Sequence, residues 1–63
     1  MQVEIINHDH LAMDADLDVV PRIGEIFTGT TEHGDEVSGT VRDVEHSYNA
    51  ARGGHSIRVY LKP

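Results

Sequence analysis

The chain has 63 residues with eleven acids against five basic side chains, a formal net charge of −6 and no cysteine. A domain of this size buries only roughly 60% of its unfolded surface, and without cysteine it has no disulfide, thiolate zinc site or thiol nucleophile. Its negative charge repels nucleic-acid phosphates, and no apolar run approaches the ~18 residues that span a bilayer.

The opening residues Met1–His8 lack the basic start and apolar core of a secretory signal, so a soluble, cytoplasmic protein is expected. Val3-Glu4-Ile5-Ile6-Asn7 reads as a first strand, with Val3 and Ile5 on one face and β-branched residues favouring it. From His8 to Asp18 the chain is polar and acidic. Asp14, Asp16 and Asp18 alternate with Ala15, Leu17 and Val19. That alternation predicts an extended, edge-like segment with its acids in water, where charge also discourages wrong pairing.

Val20-Pro21-Arg22-Ile23-Gly24-Glu25 reads as a turn, since Pro21 lacks an amide donor and holds Val20 extended. A strand over Glu25–Thr30 follows, then a reversal at His33-Gly34-Asp35. The next run, Glu36 to Tyr48, is long for one strand. Val37, Gly39 and Val41 fall on odd positions, whereas Val44, His46 and Tyr48 fall on even ones. A change of phase inside a strand implies a bulge near Arg42-Asp43. Asn49 to Gly54 closes a final hairpin. In its last strand Ile57, Val59 and Leu61 point one way, and Arg58, Tyr60 and Lys62 the other. The expected fold is all-β: one domain over residues 1–63, a small five-stranded SH3-like barrel. Its third strand, counted apart from the acidic edge segment, is long and bent.

Chemistry is sparse. There is no nucleophile elbow, phosphate loop or His-Glu-x-x-His. Ser47 follows His46, but neighbours in a strand face opposite ways and do not form a nucleophile–base pair. The spacing Asp14-x-Asp16-x-Asp18 with Glu25 matches the acids of a calcium loop, yet Val19 stands where that loop needs glycine and Pro21 lies inside it. No enzyme and no cofactor are expected. His8 and His10 would share a side if extended and are the candidate metal ligands, with a third donor to come from His33, His46 or His55. His46, beside Tyr48 on the inferred inner face, reads as a hydrogen-bonded core histidine. Tyr60 with Arg58 and Lys62 forms a candidate contact patch, since tyrosine and arginine are enriched at interface hot spots. Asp14, Asp16 and Asp18 are candidate contacts for a basic partner.

Three blocks carry a family likeness: Val19-Val20-Pro21-Arg22-Ile23-Gly24-Glu25, Gly39-Thr40-Val41-Arg42-Asp43-Val44-Glu45-His46 and Ile57-Arg58-Val59-Tyr60-Leu61. Together they resemble a loose group of short phage, prophage and bacterial proteins that share a Pro-Arg-x-Gly-Glu turn ahead of two or three strands. The likeness spans about residues 17–62. It implies the barrel fold and a phage or mobile-element source, and carries no activity with it. The expected function is a non-enzymatic protein-interaction module, such as a phage-encoded accessory or inhibitor of a host protein. It would bind a basic protein partner, or a second copy of itself, through a sheet edge or the Arg58/Tyr60/Lys62 face, with no membrane and no nucleic acid involved. The alternatives are a small nucleic-acid-binding barrel, which the net charge opposes, and a metal-binding domain built on His8 and His10.

Overall fold

Strand alternation decides which side chains of this chain meet. In the computed structural model, which describes residues 1–63, β1 (Gln2–Ile6), β2 (Ala12–Asp16), β3 (Ile26–Thr30), β4 (Glu36–Asn49) and β5 (Gly54–Lys62) form one five-stranded sheet. The order across it is β2-β1-β5-β4-β3. Three neighbouring pairs are antiparallel, and β1 runs parallel to β5. There is no helix, and so none long and apolar enough to cross a membrane.

One face of the sheet is apolar. Val3 and Ile5 of β1, Val37 and Val41 of β4, and Ile57, Val59 and Leu61 of β5 are buried together. Leu11, Met13, Ala15, Leu17, Val20, Phe27 and Val44 pack around them, half-buried. The cluster includes Val41 and Val44, of opposite parity, because the ladder slips between them. Val41 lies opposite Leu61 and Asp43 opposite Tyr60, which leaves Arg42 as the extra residue of a bulge. The change of phase in the sequence marks this place. The bulged strand is the fourth in chain order, since the acidic edge segment is itself a full strand, β2.

The turns follow their residue chemistry. Gly24 and Gly34 both hold positive φ, at 91° and 88°, in the two reversals that flank β3. Gly39 has a different duty. A Cβ there would overlap the main-chain carbonyl of Lys62, so only glycine lets β5 pass so close. Phe27 stands opposite Gly39 on β3.

Two expectations are corrected. Residues 8–10 are not extended. Asn7 donates its N–H to the Leu11 carbonyl (2.8 Å) and accepts from the His10 N–H (3.0 Å), so the chain reverses there with His10 at φ 70°. His8 and His10 therefore sit in a tight turn, both exposed, and not on one side of a strand. His46 does share a face with Ile57, but it is exposed rather than a core residue. The reason is length. β3 pairs with β4 only over Glu36–Thr40, and β1 pairs with β5 only over Arg58–Tyr60. Between His46 and the hairpin turn only β4 and β5 pair with each other, as a two-stranded ribbon.

Gly39→Ala is expected to lower stability by about 1–3 kcal/mol, the usual cost of overpacking. Gly54→Ala, where a Cβ meets open space, should stay within about 0.5 kcal/mol of the parent. Urea unfolding of the two variants checks the contrast.

Candidate functional site

An open sheet has two edges, and here both belong to short strands on either side of one seam. β2 and β3 share no ladder, yet they approach: the Met13 sulfur lies 3.1 Å from the point where a Cβ on Gly29 would sit, beside the Phe27 ring. Met13 and Phe27 thus bridge the seam through side chains alone. A groove opens on each side of that bridge. One, of about 320 Å³, is walled by Ala12–Asp14 and Thr30–His33. The other, of about 410 Å³, is lined by Leu17, Val19, Pro21, Ile26 and Phe27, with Asp18 and Glu25 at its rim.

Hydrogen bonding fixes which backbone groups face the seam. Asn7 N–H bonds to Leu11 O, and Leu17 N–H bonds to Met1 O. Both partners, which flank β2, are odd-numbered, so the odd residues of the strand bond to β1. The amides and carbonyls of Ala12, Asp14 and Asp16 point to the free edge. On β3 the same logic applies. Val41 N–H bonds to Glu25 O and Thr31 N–H to Asp35 O, which leaves Ile26, Thr28 and Thr30 facing outward.

Charge along β2 is one-sided. Asp14, Asp16 and Asp18 are all exposed, as their alternation predicts. Asp16 accepts one hydrogen bond from the Met1 ammonium (2.9 Å). Three large aliphatic side chains near this edge and the turn before β3 are not used by the core. Val19 is 74%, Ile23 69% and Ile26 80% exposed. The reading from sequence missed them, although three large aliphatics around a Pro/Gly turn were a visible signal.

The Arg58/Tyr60/Lys62 candidates lie on the sheet's outer face. Arg58 on β5 donates to Glu4 Oε1 of β1 (2.9 Å) and to Glu45 Oε1 of β4 (3.3 Å). Those two carboxylates, Glu4 first, raise the guanidinium's pKa further above its ordinary value. Tyr60 donates its hydroxyl to the same Glu45 oxygen (3.4 Å), and the Arg42 guanidinium lies 5.7 Å from its ring centre. Lys62 ends β5 opposite Thr40, exposed. Arg58 is thus already bracketed by carboxylates, and Lys62 is the free cation of the trio. His8 and His10 gather no further donor, and no group of three histidines or carboxylates converges anywhere in the chain. His33 lies in the β3–β4 turn. His46 and His55 meet each other across the β4–β5 hairpin.

The groove's rim is held by the turn before β3. Arg22 donates its N–H to Glu25 Oε1 (2.6 Å), and its guanidinium reaches Oε2 (3.4 Å). The amide bond, and then the guanidinium, hold the Glu25 carboxyl below its ordinary pKa. A carboxylate whose pKa falls on folding stabilises the fold fully above its unfolded pKa. That contribution is lost as pH drops through the lowered folded value. Glu25→Gln should therefore lower the melting temperature slightly at neutral pH and leave the strongly acidic end nearly unchanged, which flattens the acid limb of the profile, as thermal melts from neutral to strongly acidic pH will check. In comparisons with known proteins, no family model, no curated protein and no solved structure matches the chain.

Proposed function

We propose that this chain is a non-enzymatic protein-interaction module that takes an extended basic segment of a partner along the β2 side of the seam. The observation that carries the reading is the coincidence of three features on one edge. Unpaired backbone groups sit at Ala12, Asp14 and Asp16, exposed carboxylates at Asp14, Asp16 and Asp18, and an apolar groove with its exposed rim at Val19 and Ile26. Strand addition supplies main-chain hydrogen bonds whatever the partner's sequence, while side-chain pockets supply choice. The acids favour lysine and arginine and speed encounter with a positive partner. The groove accepts an aliphatic anchor next to them.

We read the curled sheet as an SH3-like barrel left open between β2 and β3, the opening being the binding seam. A small accessory or inhibitor of a host protein, of the kind phages encode, fits this design. A second copy of the chain is a poorer occupant of the β2 edge, because it would bring acids against acids.

A short extended peptide alternating lysine and valine is the probe. Binding should weaken as salt rises and should shift the amide resonances of Ala12, Asp14 and Asp16. Replacing Asp14, Asp16 and Asp18 together by asparagine should cost roughly tenfold in affinity, given surface pairs worth about 0.2–1 kcal/mol each. Arg58→Ala should change affinity little. Shifts confined to Arg58, Tyr60 and Lys62, or equal binding of a glutamate–valine peptide, would overturn the assignment.

A further inference from the structure

The ribbon beyond the sheet carries a contact that the proposed function does not use. His46 Nδ1 and His55 Nε2 stand 3.1 Å apart, with the rings inclined by only 18° and their centroids at 5.3 Å. Register explains the meeting. His46 lies opposite Ile57 and Tyr48 opposite His55, so the two imidazoles are diagonal neighbours on one face. Each ring is exposed, and no carboxylate bonds to either of them.

An imidazole–imidazole hydrogen bond needs one protonated nitrogen and one bare lone pair. Move the shared proton to the far nitrogen of its own ring, the other neutral tautomer, and two lone pairs are left facing one small gap. Two imidazole nitrogens bound at ~2.05 Å to one ion are separated by about 3.3 Å at a tetrahedral angle and about 2.9 Å at a right angle. The observed 3.1 Å lies between these. We propose that His46 and His55 form a two-histidine chelate for a borderline divalent transition metal (zinc, nickel or copper). Rotation of the two exposed rings, by about 40° each for a metal–nitrogen bond of ~2.05 Å, turns both lone pairs onto the ion. With no third histidine or carboxylate at hand, water fills the remaining positions. Copper is expected to bind tightest and nickel and zinc more weakly, by the usual order for nitrogen sites.

The site has a structural consequence where it stands. A two-stranded ribbon is marginal without neighbours, and a cation joining β4 to β5 ties it close to where the rest of the sheet stops supporting it. The proposal does not depend on the seam, because none of its residues is shared with it.

The experiment is titration of the full chain with zinc, nickel and copper salts, followed by calorimetry and by the histidine ring resonances. One ion should bind per chain, shifting or broadening the rings of His46 and His55 and raising the melting temperature. Replacing either residue alone by alanine should reduce affinity on the order of tenfold or more, since even outer-sphere partners of metal ligands cost that much. Both positions are exposed, so those variants retain the fold. The double replacement of His8 and His10 should leave binding intact. No binding of any of the three metals would overturn the proposal, as would binding that survives loss of His46 and His55 or vanishes with His8 and His10.

Discussion

The parallel pairing of β1 with β5 is the constraint on which the rest depends. It sets Glu4, Ile5 and Ile6 against Arg58, Val59 and Tyr60, joining segments some fifty residues apart. Without it β5 would have one neighbour, Ile5 would lose its place beside Val59, and the β1–β2 pair would be detached from the rest of the sheet. The closure entropy of that long loop is met before its contacts can repay it. Burial of Ile5 and Val59, both with essentially no exposure, supplies the return. The Glu4–Arg58–Glu45 bridge over the outer face is exposed and adds little energy. Its value is in register: Arg58 lies opposite Glu4 and Glu45 only when both ladders are in step.

This pairing was also what the residues did not disclose. The alternation of Ile57, Val59 and Leu61, the slip of phase at Arg42, and the turn chemistry of Pro21, Gly24 and Gly34 are local features, and each corresponds to an element of the structure. Which strand lies beside which is a different kind of information. Val3 and Ile5 state that one face is apolar without stating whose apolar face they meet. The exposure of His46 follows from the lengths of β1 and β3 relative to the hairpin, so periodicity within β4 alone misjudges it. The seam was half-legible. The acids announced an edge, but the apolar rim of Val19 and Ile26 becomes a groove wall only once β3 lies alongside β2.

Edges of this kind have to be kept from pairing at random. β2 does so with carboxylates, and β3 by being short and bounded by glycine turns. In the proposed function, the same carboxylates that exclude another acidic strand would admit a basic one, so a single feature would serve both discretion and selection. The apolar rim would then narrow the choice further, since it would be wasted on a wholly polar segment. Arg58, by contrast, is occupied within the sheet, and its charge is balanced before any visitor arrives.

The direction of β1 relative to β5 bears on how the molecule meets tension. A pull applied through residues 1 and 63 draws the two parallel neighbours in opposite senses along their length. Their cross-strand bonds, evenly spaced and slanted, then share the load in shear instead of opening one after another like a zip. The strand pair that completes the core is thereby also the clasp of the chain against stretching.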